Sequence, residues 1–204
     1  MYSKLPNLVI GFHGCDISTY ENVLHKGEPL NPSTNPYDWL GHGIYFWENN
    51  IQRAKEWATE QTRKGKYKIP KVIGAVIDLG YCLNLTDSTY IPMLETAYEL
   101  TKIYFESAGD ILPSNKGGAD LLIRNLDCAV IEQLHSYIET INKLNFNDEV
   151  PTFDSVRGVF IEGAEVYPNS GFRKKTHVQI CVRNPNCIKG YFDPIEIDTT
   201  YSNP

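Results

Sequence analysis

Hydrophobic and polar positions in the first half of the chain alternate between patterns typical of strands and of helices. Apolar runs with the length of buried strands lie at 8–13, 43–47 and 71–79. Apolar residues recur at helical spacing over 16–26 and, behind an Asn that can cap a helix, over 49–64. Residues 28–43 are rich in Pro, Asn and Gly. That composition predicts a long irregular loop, and such loops in compact domains are usually functional.

The second half of the chain predicts helices followed by strands. Helical stripes of apolar residues cover 91–108 and 126–144, with a loop at 114–118 between them. Residues 81–87 are expected to continue the preceding strand beyond a bend at Gly80. Three late strands are predicted at 156–162, 176–182 and 187–192. This order, with no internal repeat or linker, predicts an α+β domain with mainly antiparallel pairing.

Composition narrows the class of protein without identifying it. The chain has 204 residues and a net charge of −6, which argues against a sequence-independent nucleic-acid binder. No apolar run approaches the roughly 20 residues of a membrane span, and the apolar stretch near the N-terminus is too short for a signal peptide. Five cysteines without a CxxC pair are typical of reduced thiols in a cytoplasmic protein rather than of a disulfide framework or a metal site.

Three short segments place polar residues where the strand pattern expects apolar ones. The segments are FHG at 12–14, GHGIYF at 41–46 and THVQI at 176–180. The residues that stand out in them are His13, Tyr45 and Gln179. Taken alone, each has an ordinary explanation, as a structural histidine, a strand tyrosine and a solvent-facing glutamine. Only their combination and their order along the chain point to chemistry.

Together these segments resemble the ADP-ribosyltransferase fold of the diphtheria-toxin and poly-ADP-ribose-polymerase branch, whose triad is His, Tyr and Glu on three strands. The resemblance runs from Gly11 to Phe192 and is greatest to bacterial, toxin-like members. It implies a single domain over residues 1–204, with two packed, mainly antiparallel sheets and flanking helices. It also implies NAD as substrate, no metal, and transfer of ADP-ribose to a macromolecular acceptor. Such a protein would be a cytoplasmic toxin or defence effector that an inhibitor protein holds in check.

The resemblance assigns a role to each residue of the NAD site. His13 is expected to hydrogen-bond a ribose hydroxyl as a rigid donor, and Gly14, which lacks a Cβ, to let the backbone approach the nicotinamide amide. Tyr45 is expected to stack on the nicotinamide ring, while the loop 28–42 covers the dinucleotide. Gln179 stands where the family commonly has Glu. Its amide can hydrogen-bond the ribose, but it carries no charge to stabilise an oxocarbenium-like transition state, which weighs against polymer formation.

A loop before the third segment carries a second set of candidate residues, and in the family this loop contacts the acceptor. The set combines aromatic, cationic and acidic side chains: Glu165, Tyr167, Phe172, Arg173, Lys174 and Lys175. An aromatic ring flanked by cations suits stacking on a base and neutralising a phosphate, which favours a nucleic-acid acceptor over a protein. Glu162 or Glu165 is either the group that deprotonates the acceptor or a solvated loop charge. Arg124 and Asp127 are expected to form an ion pair or to cap the following helix.

Two other functions are compatible with the sequence. A silent module that binds NAD or ADP-ribose without turnover is favoured by the uncharged Gln179. A cysteine hydrolase would use Cys15 or Cys181 with a nearby histidine, and that requires a proximity in space that the sequence alone does not give.

Overall fold

A seven-stranded sheet organises the structure, a computed structural model that describes residues 8–144, 150–195 and 200. The strands of the described chain are β1 (Val9–Asp16), β2 (Ile44–Glu48), β3 (Pro70–Ile77), β4 (Cys82–Asn84), β5 (Asn115–Lys116), β6 (Ile123–Arg124), β7 (Ser155–Phe160), β8 (His177–Val182) and β9 (Ile188–Phe192). The strand order in the sheet is β4-β7-β8-β2-β1-β3-β9, and β5 and β6 form a separate ribbon. Neighbours in the sheet pair antiparallel, except that β4 and β7 are parallel.

Four helices flank the sheet in the described parts of the chain. They are α1 (Ile17–Lys26), α2 (Ile51–Arg63), α3 (Ile91–Ala108) and α4 (Asn125–Leu144), with single 3-10 turns at Ser88–Tyr90 and Pro185–Cys187. The side chains of Asp16 and Asn50 cap α1 and α2 by accepting hydrogen bonds from backbone N–H groups of the first turns. The N-terminus of α4 is satisfied from the ribbon, because Asn115 Oδ1 accepts from Leu126 N at 2.9 Å. Local sequence therefore sets most of these boundaries.

The connection from β3 to β4 requires the sheet to fold back on itself. The two strands are five positions apart in the strand order, which in a flat sheet is about 24 Å. The chain makes this step between Ile77 and Cys82, a stretch that reaches at most about 18 Å. The halves β4-β7-β8-β2 and β1-β3-β9 therefore curve toward each other. Their seam is the β1–β2 pairing, which has two residue pairs where β1 and β3 have eight.

The main core lies between the two halves, on what we call the inner face of the sheet. It takes apolar side chains from both halves: Ile44, Phe46, Ile73, Ala75, Ile77, Ile180 and Val182. Helix α1 packs here through Tyr20 and Val23. The outer face is covered by α2 over β1 and β3, and by α3 and α4 over β4, β7 and β8. The predicted α+β class and mainly antiparallel pairing are confirmed, while the two predicted sheets are halves of one continuous sheet.

Three predicted elements are wrong in detail. Residues 81–87 do not continue β3, because Gly80 adopts a left-handed conformation (φ 59°) and turns the chain to the other edge of the sheet, parallel to β7. The predicted loop 114–118 contains β5, which a glycine turn brings back against β6. Strand β1 continues past the predicted end to Asp16, which pairs with Pro70 of β3.

Candidate functional site

The three residues singled out from the sequence lie on β1, β2 and β8, which are neighbours in the middle of the sheet. Tyr45 and Gln179 are on the outer face, because Tyr45 pairs with Cys181 and Gln179 with Trp47; they are diagonal neighbours across two strands. His13 lies on the inner face, where its ring centroid is 5.9 Å from that of Phe46. The structure thus brings two of the side chains together and connects the third through the backbone.

His13 joins the two halves of the sheet at their seam. Its Nδ1 lies 2.8 Å from the carbonyl oxygen of Tyr45, and since a carbonyl only accepts, Nδ1 carries the hydrogen. Burial lowers the pKa of His13 below its ordinary value, so the ring is neutral near pH 7. Nε2 then holds a lone pair. Where the sequence predicted a donor at His13, the neutral ring offers an acceptor.

Gly14 is required by the packing of a helix. A Cβ at this position would lie 2.5 Å from the backbone oxygen of Ala54 and 3.3 Å from the Cβ of Ala58. The space that the sequence interpretation kept for the nicotinamide amide is therefore filled by α2 on that side. The close approach of α2 to β1 is reason enough for glycine here.

Tyr45 holds the end of the loop 28–42 in place. Its hydroxyl donates to Gly41 O at 2.8 Å and accepts from Leu40 N at 3.0 Å. Burial raises the pKa of this hydroxyl above its ordinary range, so it stays protonated and is not a base. The same loop end is held from α4, because the Glu132 carboxylate accepts from His42 N at 2.8 Å. Tyr45 thus has a structural task besides any contact of its ring with a ligand.

Gln179 has one of its two amide groups fixed. Trp39 Nε1 donates a hydrogen bond to Gln179 Oε1 at 2.6 Å, which assigns the amide orientation. The amide N–H2 group of this half-buried side chain makes no hydrogen bond to the described protein groups. Gln179 therefore presents a hydrogen-bond donor on the outer face, next to Tyr45.

An aromatic cluster surrounds Gln179 on the outer face, and sequence reasoning missed it. We define the outer aromatic cluster as Trp39, Trp47, Trp57, Phe160 and His177. Their ring centroids are 5.2 Å apart for Trp39 and Phe160, 5.7 Å for Trp47 and Trp57, and 5.6 Å for the stacked rings of Phe160 and His177. All three tryptophans of the chain are in the cluster. Their number was the one available signal, and it did not reveal that they converge.

Unpaired buried nitrogens concentrate at this cluster. In the described chain, four buried side-chain N or O atoms lack a hydrogen-bond partner, and three of them are Trp47 Nε1, His177 Nε2 and Arg53 Nε. His177 Nδ1 lies 2.6 Å from Lys175 O, and burial lowers the pKa of this histidine, so Nε2 is an acceptor. Each such group costs about 1–3 kcal/mol and is rare in folded proteins. Their concentration marks the outer face as the candidate site.

Ion pairs connect the cluster to the predicted acceptor loop. Glu162 receives a hydrogen bond from Arg53 at 2.9 Å and lies 3.7 Å from Lys175 Nζ. Glu165 lies 3.6 Å from Arg173 and accepts from Asn169 N at 2.9 Å. Both carboxylates therefore help to close the loop, and they offset two of its three predicted cations.

The acceptor loop still presents a distinct surface. Its rings are solvent-facing, Tyr167 being 57% and Phe172 70% exposed. Lys174 has no ion-pair partner among the described residues. The loop therefore combines two exposed aromatic rings with one uncompensated cation, rather than the cluster of three cations expected from the sequence.

Arg124 lies against the far edge of the aromatic cluster. Its guanidinium is 4.2 Å from the ring centroid of Phe160 and 5.3 Å from that of Trp39. The predicted ion pair with Asp127 is confirmed at 3.4 Å. The following helix is capped by Asn115 instead.

The cysteines are all free thiols and all buried. Burial raises the pKa of Cys15 and Cys128 to about 12, and burial also raises the pKa of Cys181. A protonated, buried thiol is a poor nucleophile. No hydrogen bond joins a histidine nitrogen to a thiol in the described part of the chain, which opposes the cysteine hydrolase. Within residues 8–144, 150–195 and 200 there is also no group of three side chains suited to a metal, and no helix with the length and hydropathy of a membrane span.

Comparisons with known proteins give a distant relative. The chain is 26% identical over 195 residues to an uncharacterized protein of Methanocaldococcus jannaschii, covering 87% of this chain and 83% of the relative. No family model matches, and no solved structure matches. The similarity spans most of both chains and carries no activity with it.

Proposed function

We propose that this chain is an ADP-ribosyltransferase that binds NAD where β1, β2 and β8 meet. The observation that carries the proposal is the adjacency of these strands. The three segments that together resemble the family are widely separated in sequence. They nevertheless form three neighbouring strands at the seam of the sheet. The backbone oxygen of Tyr45 accepts a hydrogen bond from the ring of His13, and Gln179 lies diagonally across from Tyr45 on the neighbouring strand. A sheet in two curved halves agrees with the fold that the resemblance implies.

In this proposal each polar group at the seam has one task. The free amide N–H of Gln179 donates to a hydroxyl of the nicotinamide ribose, while His13, on the inner face, positions β2 by donating from Nδ1 to the backbone oxygen of Tyr45. The ring of Tyr45 and the outer aromatic cluster provide the flat apolar surface for nicotinamide. The Tyr45 hydroxyl takes no part in the chemistry, because the loop residues Leu40 and Gly41 occupy it.

The reaction breaks one glycosidic bond and forms another. A nucleophilic atom of the acceptor bonds to C1′ of the nicotinamide ribose, and nicotinamide leaves with the electron pair of the C1′–N bond as a neutral molecule. Positive charge develops on the ribose in the transition state, and the acceptor loses a proton to solvent. The Gln179 amide offers its dipole in place of the carboxylate charge that the family commonly provides. We therefore expect slow, single transfer rather than polymer formation.

The acceptor that best fits the loop is a nucleic acid. Tyr167 and Phe172 are exposed rings on which bases can stack. Because Glu162 and Glu165 offset Lys175 and Arg173, Lys174 is left as the main phosphate contact. Binding should then depend on salt with a slope reduced by about 1 in Lys174→Gln.

The Gln179 series tests the enzyme against the silent module. NAD binding is measured by calorimetry and turnover by release of nicotinamide, for wild type, Gln179→Ala and Gln179→Glu, with the exposed Gln52→Ala as control. We expect Gln179→Ala to lose about 10- to 100-fold in turnover, the worth of a hydrogen bond to a charged centre. NAD binding without turnover, with turnover gained in Gln179→Glu, would establish the silent module. No NAD binding by the wild type would refute both.

Labelled NAD identifies the acceptor. The protein is incubated with NAD carrying a labelled phosphate and with total lysate, and the products are treated with nuclease or protease. We expect label that nuclease releases, and a loss of roughly 1–3 kcal/mol in transfer for Phe172→Ala with NAD hydrolysis retained. Tyr104→Ala, at another exposed ring on α3 (57% exposed), is the control. Label that survives nuclease but not protease would replace the nucleic acid by a protein acceptor.

A further inference from the structure

A cavity lies beside the outer aromatic cluster, between α3 and α4. Its volume is about 420 Å³, within the range of about 300–1,000 Å³ that small-molecule sites commonly have. Aliphatic side chains form most of its wall: Leu85, Leu94, Leu126, Val130 and Ile131. Trp39 and Tyr98 add two aromatic rings. The cavity therefore suits a ligand with a flat or bulky apolar body.

The rim of the cavity has a charge pattern that favours a cation. Glu95, Arg124 and Asp127 are the charged residues that line it. Arg124 is neutralised by Asp127 at 3.4 Å, and its guanidinium is covered by the rings of Phe160 and Trp39. Glu95 is exposed and has no ion-pair partner within the described residues. The neighbouring charges on α3, Glu99 and Lys102, pair with each other at 2.9 Å, so one negative charge is left at the mouth.

We propose that this cavity is a binding site for an organic cation with an apolar body, such as an amine that carries an aromatic ring. The apolar body fills the space between α3 and α4, and the ammonium group faces the Glu95 carboxylate at the mouth. The rings of Tyr98 and Trp39 serve as apolar wall only, because Lys102 and Arg124 already lie over them. The proposal does not depend on the NAD chemistry, although the cavity adjoins the outer aromatic cluster. Trp39 is shared, because its ring lines the cavity while its Nε1–H holds Gln179. An occupant of the cavity therefore touches the residue that orients the amide of Gln179.

Tryptamine and indole-3-propionate test the proposal as a pair of similar size and opposite charge. Calorimetry at pH 7 and low salt should give saturable binding of tryptamine about fivefold tighter than that of indole-3-propionate, the worth of one favourable exposed ion pair. Glu95→Gln should remove this preference. Glu106→Gln, which neutralises a carboxylate further along α3, should leave it intact.

Two further measurements locate the probe. Leu94→Trp fills the cavity from α3 and should abolish binding of both probes, and Leu85→Trp fills it from the opposite wall if the first variant fails to fold. Saturating tryptamine should shift the side-chain amide NMR signal of Gln179, assigned through Gln179→Glu. Non-saturable binding, a preference for the anion, retention of binding in both filled variants, or an unmoved amide signal would each overturn the proposal.

Discussion

The inner and outer faces of the same sheet are built on different principles. The inner face is aliphatic and closely packed, with Ile44, Ile73, Ile77 and Ile180 at most 2% exposed. The outer face has three tryptophans and a buried histidine within one cluster, and three buried nitrogens without partners, one of them on the neighbouring Arg53. Both faces exclude water. Only the outer face combines this burial with several polar groups that have lost their hydration and gained no hydrogen bond within the protein.

The comparison separates stability from recognition within a single layer of backbone. A side chain that is fully buried among aliphatic neighbours contributes to the free energy of unfolding and does not touch a ligand. A half-buried ring next to unpaired donors gains from contacts that a ligand provides. Substitutions on the two faces should therefore act on different measurements, and the following changes test that division in order of expected effect.

The largest expected effect is loss of stability from the inner face. Ile77→Ala removes a side chain that is 0% exposed and should lower the free energy of unfolding by about 4 kcal/mol through lost burial and the cavity left behind. The affinity for NAD per folded molecule should be unchanged. Trp57→Ala, at a half-buried ring of the outer face, should cost less stability and more NAD affinity. Urea unfolding measures the stability and calorimetry the affinity for NAD. If both variants lost stability and affinity to the same extent, the two faces would not have separate roles.

Acid should destabilise the protein through a buried histidine of α4. Burial lowers the pKa of His135 to about 4, from the ordinary 6.5. As the pH falls from 6.5 to 4, the unfolded chain takes up a proton that the folded chain does not, so stability is full above pH 6.5 and is lost below it. The difference is about 3 kcal/mol by pH 4. His135→Leu should remove this part of the acid loss in urea titrations at several pH values. The exposed His25→Gln should keep it; an unchanged acid slope in His135→Leu would count against a buried neutral ring.

Two strand glycines should differ in how they tolerate a methyl group. Gly14→Ala drives a Cβ against the backbone oxygen of Ala54, whereas a Cβ on Gly190 meets no atom within 4 Å. We expect a loss of about 2 kcal/mol for Gly14→Ala and almost none for Gly190→Ala, measured by thermal unfolding. If both variants were neutral, the contact between α2 and β1 would have to be looser than described.

The smallest effect concerns the hydrogen bond that fixes Gln179. Trp39→Phe keeps most of the ring and removes the Nε1 donor at 2.6 Å from Oε1. A double-mutant cycle with Gln179→Leu should give a coupling of about 1 kcal/mol in the free energy of unfolding. Additive losses would mean that the two side chains do not interact in solution.

Most helices and strands followed from local pattern, since Asp16 and Asn50 cap their helices and the apolar runs became strands. The position of β4 did not follow, because its parallel pairing with β7 depends on a curved sheet and not on the three residues of the strand. The adjacency of β1, β2 and β8 did not follow from local pattern either, since the resemblance placed one residue on each of three strands without giving their order in the sheet.

Within the site, the local sequence pattern identified candidate residues but did not predict which residues they contact. The register of β2 against β8 puts Tyr45 and Gln179 on one face, and Trp57 joins them only once α2 has packed. Likewise the pairing of Glu162 with Arg53, far apart in sequence, altered the charge of the acceptor loop. Contacts between distant elements are set by packing, which periodicity does not encode.

Because its five thiols are buried, the folded chain should not react with cysteine reagents. The same thiols can therefore be used to measure local opening of the structure. They lie in β1, β4, α4, β8 and the turn before β9: Cys15, Cys82, Cys128, Cys181 and Cys187. A reagent such as a maleimide modifies each sulfur only when its surroundings open. The five rates of modification, resolved by peptide mass, would therefore rank the local opening free energies of both sheet halves without any engineered label.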